Sequence, residues 1–269
     1  MTETGIGAPV RRKEDFRFIT GAGRYVDDIN RPGQAHAYFL RSPHAHARIK
    51  SIDASAANAA PGVVAIFTGD DIAADKVGGL ICGWMIHSKD GSPMKAGGHP
   101  ALAQGKVRYV GDHVAVVIAE TLAQARDGAE AVVVDYEQLP VIVDMNEAVK
   151  KGATVIHPEA PENTVFNWHL GDKATTEAAF AKAKHVTRLD IVNNRLVPNA
   201  IEPRAANAVY NPASDEYTLY VANQNPHVER LLMCAFVLGI PEHKMRVVAP
   251  DVGGGFGSKI YLYGEETAL

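Results

Sequence analysis

Apolar and polar residues alternate with a two-residue period over Ala45–Asp53 (AHARIKSID), which predicts a half-buried strand. Around it the sequence predicts a turn and then strands from Gly21 to Leu40 (GAGRYVDDI, then GQAHAYFLRS). A short alanine-rich helix over Ala54–Ala60, halted by Pro61-Gly62, and a strand over Val63–Gly69 follow. Residues 70–105 hold no clear period and are rich in Gly, His and Pro, so they read as a long surface excursion. Regular pattern returns with a buried strand at Val114–Ala119, a helix at Thr121–Ala131 with Ala and Leu on its inner face, and a strand at Val132–Tyr136. Strand, helix and strand around one core make residues 18–145 a compact α+β unit behind a polar leader, 1–17. From 146 to 168 the chain turns polar and proline-bearing, as a connector laid over a surface would.

A second pattern occupies 169–269. Asp172 stands where it would cap a helix over Lys173–Lys184. Strands are expected at His185–Asn193, Ala206–Asn211 and Tyr217–Asn223. Pro226 then opens a helix at a position where its missing N–H costs nothing. Val228, Leu231, Leu232, Ala235 and Phe236 share one face of that helix, and Gly239 ends it. A last strand, Arg246–Ala249, runs into Pro250-Asp251-Val252 and a glycine run. The segment YLYGEETAL carries no terminating cap, so the second unit is expected to be the first part of a longer domain.

Composition narrows the classes. The 269 residues carry 27 Lys and Arg against 31 Asp and Glu, a formal net charge of −4, which argues against a surface built mainly to grip nucleic acid. A hydrophobic content of 46% excludes a disordered chain. The longest apolar run, Leu231–Ile240, falls well short of the roughly 18 residues that span a bilayer. Two cysteines, Cys82 and Cys234, cannot furnish a disulfide framework, a four-cysteine metal site or an iron–sulfur cluster. Arg11-Arg12 is followed by Lys13, Glu14 and Asp15 instead of the apolar core of an export signal, so a cytoplasmic location is expected.

The sharpest chemical feature is Gly253-Gly254-Gly255-Phe256-Gly257-Ser258-Lys259 behind a predicted strand. Glycines there let backbone N–H groups face an anion or polar cofactor with no side chain in the way. The run is neither a Walker A loop, since Ser258 precedes Lys259, nor a dinucleotide fingerprint, since Ser258 stands where the third glycine belongs. A tight structural turn explains it as readily as a cofactor loop. Gln224-Asn225-Pro226-His227 sits where a strand ends and a helix begins, a place that serves anion binding or ordinary capping. His44 and His46 lack a nearby carboxylate or cysteine and read as solvated or capping residues, not metal ligands. Cys82 and His87 lack an orienting partner for nucleophilic work. Cys234 reads as core packing, and Glu202-Pro203-Arg204 as an ion pair fixing a turn.

Taken together, several motifs resemble one family. GAGRYVDDI, FLRSPHAHARIKSID, PGVVAIFTGDD and RYVGDHVAVVIAET are similar to the α/β hammerhead domain of the molybdenum-binding large subunit of the xanthine oxidase family. IEPRAANAVY and ANQNPHVERLLMCAFVLGIPEHKMRVVAPDVGGGFGSK resemble the start of its molybdopterin-binding domain, and the whole is most like the aerobic carbon monoxide dehydrogenase type. The resemblance implies an α+β fold, a hammerhead followed by the first segment of the cofactor domain. It implies hydroxylation with water as the oxygen source at a molybdenum centre carried by molybdopterin, in the cytosine dinucleotide form. Electrons would leave through [2Fe–2S] clusters and FAD on a small iron–sulfur and a medium flavin subunit.

By the same resemblance Gln224 hydrogen-bonds an oxygen ligand of the metal, the Phe256 amide contacts the same metal environment, and Gly254, Gly255 and Gly257 form the cofactor loop. Purine-oxidising relatives carry a glutamate immediately after the lysine; here that place is Ile260, which points away from xanthine and toward carbon monoxide or a small carbonyl-type substrate. The general-base glutamate of the family lies far downstream, and Glu265 and Glu266 do not stand at its place. The expected reading is therefore part of a molybdenum hydroxylase large subunit, without a catalytic residue of its own and inactive until the remainder of the subunit completes it. The rivals are a non-catalytic docking module for iron–sulfur and flavin subunits and, more distantly, a phosphate-binding protein using the glycine loop alone.

Overall fold

The apolar run Val114–Ala119 has no polar face to offer water, so it must be covered on both sides, and the chain meets this by making it a central strand. The computed structural model describes residues 5–269. Its first part contains α1 (Asp15–Ile19), β1 (His36–Arg41), β2 (Ala47–Asp53), α2 (Ser55–Asn58), β3 (Val63–Thr68), α3 (Gly69–Ala74), β4 (Lys106–Val107), β5 (His113–Ala119), α4 (Leu122–Glu130), β6 (Val133–Gln138) and α5 (Met145–Ala148). Strand β5 lies between β1 and β3, antiparallel to both. A second sheet, ordered β4-β2-β6, is also antiparallel. Helix α4, capped by the Thr121 hydroxyl on the Gln124 N–H, presses Ala125, Gly128 and Ala129 onto the first sheet. Gly128 is needed there, because a methyl group would run into Val63 and Val117.

The second part contains α6 (Lys173–Lys182), β7 (Ala206–Asn211), β8 (Glu216–Val221), α7 (Pro226–Leu232), β9 (Met245–Val248) and α8 (Gly264–Ala268). Its sheet runs β7-β8-β9, with β7 antiparallel and β9 parallel to β8. Leu219, Val221, Leu232, Met233, Cys234, Val237, Met245 and Leu262 pack into its core, so Cys234 is a core residue as expected. The two parts are tied by charge and hydrogen bonds. Arg17 forks onto Asp251, Asn207 Nδ2 donates to Gln34 Oε1 at 2.9 Å, and Arg41 pairs with Glu265, which also meets His113 Nε2 at 3.0 Å. Among the described residues no helix is long and apolar enough to cross a membrane.

Several expectations need correction. GAGRYVDDI forms a single 3-10 turn at Val26–Asp28 and no strand, because Asp28 folds back to accept the Tyr25 N–H. The stretch 70–105 is not all surface: its start continues α3, capped by Thr68 and Asp71, and Ala101, Leu102 and Ala103 are buried. Leu122 faces solvent, so the inner face of α4 is made of small residues only. The expected strand His185–Asn193 forms no strand, and Leu189, Ile191 and Val192 are exposed; a strand needs a neighbour's backbone groups. The face assigned to the helix after Pro226 holds for Val228 and Leu232, which pack into the core, but not for Leu231, which is exposed. From Met233 to Leu238 the helix widens into a π-helical turn, which puts Met233, Cys234 and Val237 inside and leaves Ala235 and Phe236 outside.

Val117→Ala should lower the urea midpoint by the equivalent of about 2 kcal/mol, since it empties space against Ala57, Ala129 and Val132. Burial alone would raise the Glu265 carboxyl, but the hydrogen bond and charge of His113, with Arg41, bring it down to about 2. Its folded value lies below its unfolded one, so its contribution is full above the ordinary carboxylate range near pH 4.3 and is lost as pH falls toward 2. Acid titration of stability should therefore be shallower in Glu265→Gln over that window.

Candidate functional site

Two parallel strands joined through a helix end at the same edge of their sheet, and loops beyond that edge meet. Here β8 ends at Val221 and delivers Gln224, while β9 ends at Val248 and delivers the glycine run. The Gln224 backbone N–H donates to the Lys259 carbonyl at 2.6 Å. Its side-chain Oε1 accepts the N–H groups of Gly257 at 3.0 Å and Lys259 at 3.3 Å. That commits the carbonyl end of the carboxamide to the loop and turns the Nε2 amino group outward as a free donor. The two features singled out from the sequence thus form one site.

The loop is shaped for close approach. Phe256 adopts a left-handed backbone, φ 51°, which costs a non-glycine residue about 1 kcal/mol or more. Gly254 and Gly257 flank it at φ 103° and 86°, a conformation glycine takes freely. A Cβ at Gly255 would fall inside the Gln224 carboxamide, and one at Gly254 would meet the Phe256 ring. Among the described residues the N–H groups of Gly254, Gly255 and Phe256 have no protein acceptor, and the Gly257 N–H is spent on Gln224. Three unpaired amides beside a carboxamide donor form an open cradle of hydrogen-bond donors, the kind of group an oxygen-rich anion accepts from.

Beneath the cradle lies charge that the sequence did not disclose. Lys259, 3% exposed, donates Nζ to the Glu202 carbonyl at 2.8 Å and to its carboxylate at 3.0 Å; the same carboxylate accepts the Gly253 N–H at 2.7 Å. Arg204 forks onto Glu266, donates to the Tyr261 carbonyl at 2.6 Å and lies over the Tyr263 ring. Glu202 and Arg204 therefore do not pair with each other, as expected from their proximity; each anchors a different part of the glycine loop. Glu265 and Glu266 serve in ion pairs. Only the alternation of charge around Glu202-Pro203-Arg204 and Lys259 hinted at this, since the partners stand more than fifty residues apart in sequence.

The weaker candidates remain apart from the cradle. His46 is buried with Nδ1 on the Pro140 carbonyl at 2.8 Å, and His44 packs edge-on against Tyr136. Cys82 is exposed, its thiol 3.7 Å from the Trp84 carbonyl. Among the described residues no group of three or more His, Cys, Asp or Glu could hold a metal.

Residues 20–140 match the family described as aldehyde oxidase and xanthine dehydrogenase, a/b hammerhead domain, and residues 156–269 match the molybdopterin cofactor-binding domain. The chain is 40% identical over 264 residues to the carbon monoxide dehydrogenase large chain of Hydrogenophaga pseudoflava, covering 93% of this chain and 31% of that one. It is 37% identical to the nicotine 6-hydroxylase large subunit of Paenarthrobacter nicotinovorans, covering all of this chain and 32% of the relative. The solved structure of quinoline 2-oxidoreductase from Pseudomonas putida 86 superposes with a TM-score of 0.86 at 36% identity, over 97% of this chain and 32% of that one. The chain thus spans about a third of the length of these relatives.

Lys259→Met should cost about 3 kcal/mol or more in urea unfolding, because it strands the Glu202 carboxylate in a buried place. Adding Glu202→Gln to that variant should return a large part of the loss; two independent, additive losses would mean that the pair is not the source.

Proposed function

The chain belongs to the xanthine oxidase family as part of a molybdenum-binding large subunit, and on that premise we propose that it supplies one wall of a molybdenum hydroxylase site. Gln224 Nε2 and the amides of Gly254, Gly255 and Phe256 would hold the oxygen-rich face of a molybdopterin-bound molybdenum centre, with Gly257 fixing the Gln224 carbonyl. The observation that carries this is the orientation of Gln224: its oxygen is consumed by two loop amides, so only a donor faces outward. Donors are what an anionic metal–oxygen group requires. When bound, that group supplies the two-electron oxidation of substrate with water as the oxygen source. The residues of this chain orient it and keep its oxygen ligands hydrogen-bonded. The pterin is taken to be the cytosine dinucleotide form, with [2Fe–2S] and FAD on partner iron–sulfur and flavin subunits.

We assign 18–145 to the hammerhead, 146–168 to a connector and 169–269 to the cofactor domain. The cradle is open: Gln224 and Phe256 face solvent, and so do Leu189, Ile191, Val192, Leu196 and Val197 in residues 185–200, which pair with no strand. Such a row of apolar side chains on an unpaired backbone marks a surface meant to be covered. The remainder of a large subunit is the proposed cover, and the 269 residues alone are expected not to turn over substrate. Relatives carry carbon monoxide, nicotine and quinoline in their names. With Ile260 following Lys259, the proposed substrate is carbon monoxide or a small carbonyl-type molecule.

Co-production with a polypeptide covering the other two thirds of a relative's length, together with iron–sulfur and flavin subunits, should yield molybdenum in the purified complex and turnover of carbon monoxide or an aldehyde. Gln224→Ala should then lower kcat about 10- to 100-fold, with a loss of stability no larger than the two loop hydrogen bonds it removes. Assembly without molybdenum or turnover would favour the docking-module reading, and unchanged kcat in Gln224→Ala would remove that residue from the site.

A further inference from the structure

Glu229, in α7, is fully buried, and Asn223 and Glu266 are 2% and 3% exposed. Glu229 Oε2 accepts a hydrogen bond from Asn223 Nδ2 at 2.9 Å. Asn223 Oδ1 in turn accepts the Asn225 N–H, so the asparagine clasps the turn on which Gln224 stands. The other oxygen, Glu229 Oε1, has no donor and no solvent. Beside the Glu229 carboxyl lies that of Glu266, which accepts the Arg204 fork and the Tyr263 N–H at 3.0 Å. Two carboxylates side by side in a buried place cannot both be ionised, and only one of them has an arginine. A proton on Glu229 Oε1 satisfies that orphan atom and converts a repulsion into a hydrogen bond.

We propose that Glu229 is held as a neutral carboxylic acid donating from Oε1 to Glu266, and that this shared proton makes Glu229 a positioning residue for Gln224. Its path to the site is continuous: Arg204, anchored to the loop carbonyls of Ser258 and Tyr261, holds Glu266; Glu266 accepts from Glu229; Glu229 fixes Asn223; Asn223 fixes the turn. Burial first, and then the neighbouring Glu266, push the Glu229 carboxyl up to about 9. The ionisable groups facing it from other elements are Glu266 in α8 and Arg204 ahead of β7. The proposal rests on the reading of Gln224 above for its functional meaning, but the proton and the clamp need no cofactor to be observed.

The test uses the 269-residue chain. A carboxyl whose folded pKa is raised contributes its full stability below the ordinary carboxylate range and loses it as pH climbs toward 9. Glu229→Gln keeps an acceptor for Asn223 and a donor for Glu266 and takes up no proton. Its folding constant should therefore gain on the wild type by about tenfold per pH unit between about pH 5 and 9. The infrared carbonyl band of a protonated carboxylic acid should be present in the wild type and absent from Glu229→Gln. A flat, unfavourable difference with no such band would mean that Glu229 is ionised and would overturn the proposal.

For positioning, amide exchange at Gly257 and Lys259, the donors to Gln224, should accelerate at least tenfold more than at the β5 amides in Glu229→Ala and return to wild-type rates in Glu229→Gln. Equal acceleration everywhere would reduce Glu229 to a structural role. Should Glu229→Ala fail to fold, the same comparison in Glu229→Asp, too short to reach both partners, decides it. Success here with no molybdenum in the assembled complex would sink the proposed function while leaving the clamp intact.

Discussion

One carboxamide oxygen accepting two backbone donors joins the strand–helix junction at Gln224 to the glycine loop. Without that joint the two loops beyond β8 and β9 would be neighbours and nothing more. With it, the side chain cannot flip: its amino group faces out because its carbonyl is occupied. The loop is shaped around the joint in return. Gly255 has no side chain because a methyl there would displace the carboxamide, and Phe256 is held in a left-handed backbone between two glycines that turn freely. The strain at Phe256 is borne by buried ion pairs below, Lys259 on Glu202 and Arg204 on Glu266, which hold the loop at both ends.

Much of this fold was legible in the chain because its signals are local. Alternation found β2, the apolar run found β5, Asp172 announced α6, and Pro226 and Gly239 bracketed a helix. Misreadings came where tertiary structure decides. His185–Asn193 has strand composition but no partner, and composition cannot supply one. The π-helical turn after Met233 shifts which side chains face inward, a change of period that a 3.6-residue template cannot register. Leu102 is buried inside a stretch that looked like surface, because chain reversal and not period brings it to the core.

The site was half legible. Its donors, Gln224 and the glycine loop, are marked by residue types that local chemistry makes unusual. Its supports are ordinary residues made important by distance: nothing around Glu229 in a helix sequence distinguishes a buried carboxyl from a solvated one, and Arg204 meets Glu266 across 62 positions. Motif reading finds groups that face a ligand. The groups that hold them still have to be found in space.

The parallel pairing of β8 with β9 through one helical crossover has a consequence for biosynthesis. The bonds that join Gln224 to the loop and the loop to Glu202, Arg204 and Glu266 all fall between residues 202 and 266. A nascent polypeptide can make these bonds as soon as that short stretch leaves the ribosome. A ligand reaching this surface would then meet donors whose directions are already set, and would not have to order them itself.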